Sequence, residues 1–161
     1  MQKVYVDKSN IHGRGVFAKK NIKKGEMIFY AKGKIVKFII RNPNDSRIGS
    51  RWLCVGKNTW INPDKNNPLY FLNHACNPNA GIRGKITFIA LKDIKKDEEI
   101  VFDYSISEVD IFWNMKCICK SKNCRKIIHS IQFLPRKIFK KYLPYVPNHS
   151  QKAYFNKDQN E

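Results

Sequence analysis

Apolar residues come along this chain in short runs, and most of them alternate with polar neighbours. A period of two turns one face of an extended segment toward a core. Val4-Tyr5-Val6 reads in this way as a first strand, and Gly15-Val16-Phe17 enters a second. Met27 to Tyr30 follows the break at Gly25 as a third strand, and Ile35 to Ile40 follows Gly33. Trp52 to Val55 and Thr59 to Ile61 predict two more. Gly81 to Ala90 predicts a hairpin turning near Arg83-Gly84, with Ile86, Phe88 and Ala90 on one face. Turn formers cluster at Asn42-Pro43-Asn44-Asp45 and again from Asn62 to Pro68. The period changes after Ile131. Pro135 suits a first helical turn, Ile138, Phe139, Tyr142 and Leu143 recur at helical spacing, and Pro144 ends the pattern. This predicts a short amphipathic helix packed on the domain and, from Asn148 on, a frayed tail.

Two segments echo each other. Lys20-Asn21-Ile22-Lys23-Lys24-Gly25-Glu26 resembles Lys92-Asp93-Ile94-Lys95-Lys96-Asp97-Glu98, and each leads into an apolar strand. Two copies make no solenoid. They predict one polar turn used twice before two buried strands.

Length and composition narrow the picture. A chain of 161 residues suits one domain, and a hydrophobic fraction of 42% excludes a disordered tail. Met1 to Asn10 has no apolar core of signal-peptide type, and no run is long enough to span a membrane. The formal net charge of +18 has two readings that stay open: attraction to nucleic acid or another polyanion, or lysine spread over solvated faces. Five cysteines, an odd number, argue against a complete disulfide framework and for a reducing intracellular compartment, nuclear or cytoplasmic.

Chemistry concentrates in three places. Asn73-His74-Ala75-Cys76-Asn77-Pro78-Asn79 follows an apolar run and crowds short-reach polar groups into one loop. Asp103-Tyr104 closes an apolar strand. Cys117-x-Cys119-x-x-x-x-Cys124 offers three soft ligands, and a structural zinc site needs a fourth, for which Cys76 and Cys54 are the candidates. Cys54 sits in an apolar strand, where an inert buried thiol is the simpler reading. Gly13-Arg14-Gly15 is no dinucleotide fingerprint, since the third glycine and the following helix are missing. Asp93, Asp97, Glu98, Glu99, Asp103, Glu108 and Asp110 gather in sequence around the Asp103-Tyr104 strand, so a locally acidic groove is expected inside a basic shell.

The order His12-Gly13-Arg14-Gly15-Val16-Phe17-Ala18, then Tyr70 to Asn79, then Asp97 to Tyr104, then Cys117 to Arg125 resembles the SET-domain protein lysine methyltransferases with a post-SET zinc segment, in a compact form without large flanking domains. The resemblance covers roughly residues 4–128. It implies a mostly β fold of small curved sheets around a pseudoknot, with residues 1–106 as catalytic domain, 107–130 as post-SET zinc segment and 131–161 as helix and tail. It implies S-adenosylmethionine held by His12, Gly13, Arg14, Gly15, Asn73 and His74, and Tyr104 as the catalytic residue. Cys76, Cys117, Cys119 and Cys124 would bind one structural zinc, and Phe102 and Tyr30 would line the lysine channel. Phe102 stands where Phe, rather than Tyr, leaves room for di- or trimethylation. The implied substrate is a protein with an exposed lysine, histone-like or otherwise basic, as in chromatin. Non-specific nucleic acid is a further expected partner. An inactive SET module that binds basic peptides or nucleic acid is the alternative. The chain departs from the family pattern at Tyr70, Ala75 and Ala31, with Tyr30 one place from the usual tyrosine.

Overall fold

The computed structural model describes residues 3–40, 42 and 51–156. Twelve strands follow in chain order: β1 (Val4–Lys8), β2 (Arg14–Ala18), β3 (Met27–Tyr30), β4 (Gly33–Lys37), β5 (Leu53–Gly56), β6 (Thr59–Pro63), β7 (Asn73–His74), β8 (Ala80–Arg83), β9 (Thr87–Ala90), β10 (Glu99–Phe102), β11 (Asn114–Lys116) and β12 (Ile127–His129). Two helices close the chain, α1 (Arg136–Tyr142) and α2 (Asn148–Phe155). The strands form one large sheet in the order β1-β2-β10-β8-β9-β3, a three-stranded sheet β4-β6-β5 and a two-stranded β11-β12 ribbon. No helix among the described residues is long and apolar enough to cross a membrane.

The decisive element is β10. It lies antiparallel to β2, with Ile100 opposite Val16, and parallel to β7, with Val101 opposite Asn73 and Phe102 opposite His74. A late strand is thus inserted between the first hairpin and the middle of the chain. Its residues are apolar on both faces because both are covered: Ile100, Val101 and Phe102 are all buried. Asn79 completes the join, since its side-chain oxygen accepts from the Val101 N–H and its amide donates to the Glu99 carbonyl.

The two echoed segments fold into the same turn and meet. Ile22 and Ile94 form an antiparallel bridge, each N–H donating to the other's carbonyl at 2.8 Å, and both side chains are buried. Lys23 N–H donates to the Glu26 carboxylate, and Lys95 N–H donates to that of Glu98. The reciprocity extends outward: Gly25 N–H donates to Ala90 and Asp97 N–H to Ala18. Both turns need a left-handed residue, Gly25 at φ 81° and Asp97 at φ 64°.

Three expectations change. The hairpin forms as β8-β9, but Ile86 falls in its turn and is exposed, while Phe88 and Ala90 are fully buried. Leu143 is likewise exposed past the end of α1. Of the expected frayed tail, Asn148–Phe155 is helical, because the Tyr154 ring stacks on Phe139 of α1 and Ser150 is buried. Of the expected turn at 42–45, all but Asn42 lies outside the described residues.

Candidate active site

A cavity of about 340 Å³ opens beside the β7-β10 pair. Asn73, His74, Phe102 and Tyr104 line it, with His12 from the β1-β2 turn, and Trp113 and Met115 from the segment that follows. Tyr104 stands two residues past the end of β10, so the parallel pairing with β7 puts it against the Asn-His dipeptide. Its N–H donates to His74 Nδ1 at 3.2 Å and its hydroxyl donates to the Leu72 carbonyl at 2.5 Å. Its ring centroid lies 5.3 Å from that of His74 and 5.1 Å from that of Phe102. Burial pushes the phenol well above its ordinary pKa, the Arg51 charge opposing and that of Glu99 adding. At neutral pH the hydroxyl is therefore protonated, a donor and a positioning group rather than a base.

The Asn73 amide organises the β1-β2 turn. Its Nδ2 lies 3.2 Å from the His12 carbonyl, 3.1 Å from that of Arg14, 3.1 Å from Ser9 Oγ and 2.9 Å from Glu99 Oε1. Two hydrogens shared among four acceptors tie the turn to β7. The two glycines of this turn serve different ends. Gly13 sits at φ 52° with open space around it, so the backbone conformation selects it. A Cβ on Gly15 would lie 2.3 Å from the Glu99 carboxylate, so contact selects it. The Arg14 guanidinium lies over the Phe71 ring at 4.8 Å.

His74 and the cysteines form the second group. Ligand atoms of His74, Cys76, Cys117 and Cys119 all lie within 4.8 Å of one another, the one metal-capable group among the described residues. Cys76 Sγ and Cys117 Sγ are 3.7 Å apart. Thiolates at tetrahedral corners about 2.3 Å from zinc stand about 3.8 Å apart, so donor type and spacing fit that ion. Cys124 borders the group, its thiol turned to the Cys117 carbonyl at 3.8 Å. Burial raises Cys119, but the Cys76 N–H and the Ser121 donors outweigh it and bring that thiol down to about 6. Burial drives Cys54 far up, and it lies apart from the group in β5, as an inert thiol should. His74 is pushed down to about 4, chiefly by burial against the opposing pull of Asp103, so its ring is neutral and accepts the Tyr104 N–H.

Asp103, fully buried, joins these parts. Its carboxylate pairs with Arg125 at 2.6 Å, accepts the Ser105 N–H at 3.1 Å and the Tyr142 hydroxyl at 3.1 Å, and lies 3.6 Å from His74. Arg125 also turns its N–H and Nε toward Cys76 Sγ. One carboxylate thus binds the cysteine segment and α1 to the residue beside Tyr104. Tyr142→Phe deletes a hydrogen bond to a buried charge and is expected to lower unfolding stability by about 2 kcal/mol in urea titration.

Tyr30 does not share the cavity. The β3-β9 register slips between Met27 and Phe29, which turns Phe29 onto Phe88 (centroids 4.6 Å apart) and leaves Tyr30 about half exposed beside a separate cleft. Nor do the clustered acids make a groove. Asp93 pairs with Lys23, Asp97 accepts from the Tyr5 hydroxyl, Glu98 caps the Lys95 turn, Glu99 faces Ser9 and Asn73, and Asp110 caps Phe112. Only Glu108 among them lines the cavity.

Glu108 is 5% exposed, and burial raises its carboxyl from 4.5 to about 7, against the pull of the Asp110 and Val109 N–H donors. A raised folded value means that the contribution of this group to stability is full below about 4.5 and is lost as pH rises through about 7. Glu108→Gln should therefore gain on the natural protein as pH rises across that window, by about 2 kcal/mol at pH 8, read from melting temperatures at stepped pH.

Several of these residues carry no sequence signal. Arg51, Trp113 and Met115 reach the cavity from segments without a motif. Arg51 stands over the Tyr70 ring at 4.5 Å and donates to its carbonyl at 2.7 Å, setting a guanidinium beside a position where the resembling family often has arginine.

Comparison with known proteins identifies this arrangement. The SET domain family profile matches residues 13–105. The histone-lysine N-methyltransferase set1 of Dictyostelium discoideum is 30% identical over 142 residues, 80% of this chain and 9% of that protein. The histone-lysine N-methyltransferase trithorax of Drosophila virilis is 32% identical over 139 residues, 78% of this chain and 4% of that protein. The chain thus spans less than a tenth of the length of these relatives. A crystal structure of KRYPTONITE in complex with mCHH DNA, H3(1-15) peptide and SAH superposes with a TM-score of 0.60 at 18% identity, covering 78% of this chain and 29% of that one. Mostly β, with curved sheets and an inserted late strand, the chain belongs to the SET domain family.

Proposed function

We propose that this chain is a protein-lysine N-methyltransferase that uses S-adenosylmethionine. The observation that carries the reading is one cavity lined by His12 of the turn that Asn73 ties, by Asn73 itself and by Tyr104, the last two 31 positions apart in sequence. The names of the relatives and the SAH in the KRYPTONITE structure support it.

The methyl donor would supply an electrophilic carbon on a sulfonium. Backbone from His12 to Gly15, with Asn73 and His74, would hold it. The acceptor amine must be neutral to attack. A free lysine has a pKa of about 10.4, so about one in 10³ is neutral at pH 7. The Phe102 and Tyr104 walls desolvate an inserted side chain, and desolvation disfavours its ammonium form. A nearby positive sulfonium adds to that effect. No carboxylate base is then needed, and the protonated Tyr104 hydroxyl serves to align the amine with the methyl. Cys76, Cys117, Cys119 and Cys124 would hold a structural zinc, with His74 against the cluster and Arg125 bonded to it. The metal would clamp the Trp113 and Met115 wall onto the cavity and take no part in the transfer.

The substrate would be histone-like, an expectation in keeping with the H3 peptide bound to KRYPTONITE. The +18 charge supports an additional hold on nucleic acid, which DNA competition and a salt series would test. Phe102, buried with its ring against Tyr104, leaves no second hydroxyl to hold the amine, which supports di- or trimethylation. Phe102→Tyr is expected to shift products toward monomethyl-lysine by mass spectrometry; an unchanged product distribution refutes that role. The activity itself is tested by transfer of labelled methyl from S-adenosylmethionine to core histones and other basic proteins. Binding of the donor with no transfer to any of them would favour an inactive binding module.

A further inference from the structure

We infer that Glu108 is a specificity anchor: it receives a positively charged side chain of the acceptor protein that flanks the methylated lysine. The inference rests on the methyltransferase reading and narrows its substrate class. Glu108 is the one carboxylate lining the cavity, whose other charged walls are Arg51 and Lys116. It is 5% exposed, and among the described residues it has no ion-pair partner. One oxygen is engaged, accepting the N–H groups of Val109 at 2.9 Å and Asp110 at 3.0 Å. These two bonds fix the carboxyl in place. The Trp60 indole N–H comes near enough to favour its charged form but completes no hydrogen bond. A buried carboxyl lacking a counter-ion costs stability, and such a cost persists where function needs the group.

The geometry disfavours the two other cations of the reaction as the partner of Glu108. On that reading the sulfonium sits with the His12–Gly15 turn and Asn73, whose side-chain hydrogen-bond partners do not include Glu108. Glu108 instead lies beside β5, where its charge acts on the Cys54 thiol. The target lysine must shed its proton, and a carboxylate at its head would hold the proton on. The charges that bear on the Tyr104 hydroxyl are those of Arg51 and Glu99, not that of Glu108. Glu108 follows Tyr104 by one turn, its N–H donating to the Tyr104 carbonyl at 3.2 Å. It is thus set for a neighbour of the target residue that stays charged. A flanking arginine or lysine would complete the ion pair, and the buried setting would make that pair discriminating.

The test uses the full chain and a synthetic acceptor peptide with one lysine flanked by arginines. Each arginine in turn is replaced by citrulline, which keeps the shape and removes the charge. The natural protein is expected to lose about tenfold in kcat/KM at one flanking position. In Glu108→Gln the arginine-to-citrulline ratio at that position should fall to about one, and Glu108→Asp should restore part of it. The ratio is taken within each variant, so a general loss of activity does not mimic the result. A ratio unchanged by Glu108→Gln, a natural protein indifferent to every citrulline, or a defect confined to the KM of S-adenosylmethionine overturns the proposal. If no peptide or protein is methylated at all, the parent reading fails. The same peptides followed by fluorescence anisotropy then decide whether Glu108 selects charge in binding. If Glu108→Gln does not fold, the citrulline scan and Glu108→Asp carry the decision.

Discussion

Tyr104→Phe is expected to reduce methyl transfer about a thousandfold while the protein stays folded and still binds its donor. The substitution removes one oxygen. Phe keeps the ring contacts with His74 and Phe102, and the Tyr104 N–H still donates to His74 Nδ1. The lost hydroxyl bond to the Leu72 carbonyl should cost about 1 kcal/mol of stability. The kinetic loss is larger because that hydroxyl would define the mouth through which amine and methyl must align. A well-placed polar group at the reacting atoms is worth about 10²–10³ in rate, and loss of alignment multiplies the effect. Single-turnover rates with saturating donor, set beside a denaturant titration, separate the two quantities. A variant with a near-natural rate would remove Tyr104 from the chemistry.

Removal of metal is expected to have an effect of similar reach through a different route. One zinc per chain should be found by elemental analysis. Its removal by a strong chelator should abolish transfer and lower the melting temperature by roughly 10 °C. The reason lies in what the cysteine segment carries. Cys76 is engaged by the Cys119 thiol, by the Asn123 amide and by Arg125, all from that segment. Without the ion, burial keeps the Cys76 and Cys117 thiols protonated, no shared ligation holds them, and the β11-β12 ribbon loses its tie to the Asn-His loop. The Trp113 and Met115 wall then leaves the cavity, and the Arg125–Asp103 pair beside Tyr104 is put at risk. Cys117→Ser should reproduce the chelated state. Full activity in metal-free protein would refute the clamp.

Much of the fold was legible because strand alternation is a local property. Val4-Tyr5-Val6, Met27 to Tyr30 and the Gly81 to Ala90 hairpin appear where their pattern puts them. Elements set by distant contacts were not legible. β7 is a two-residue strand that exists only because β10 pairs with it. α2 has a polar, weakly patterned sequence and is held by the Tyr154 stack on Phe139. Ile86 and Tyr30 show the same limit at single residues. A turn and a register slip changed which way each side chain faced, and a shift of one position in a strand is enough for that.

The inventory of chemistry is written in the chain itself: an amide, an imidazole and a thiol in one loop, a tyrosine closing an apolar strand, and three clustered cysteines. These follow from residue type and short spacing, which no tertiary contact can alter. Which of these groups meet depends on long-range strand pairing. Insertion of β10 between β2 and β7 sets Tyr104 against His74 and draws Asn73 to the carbonyls of the first turn. The same packing scattered seven neighbouring acids, spent most of them on turns and ion pairs, and left Glu108 alone in the cavity wall. Pairing between segments far apart in the chain depends on covering both faces of a buried strand, and that requirement has no local signature.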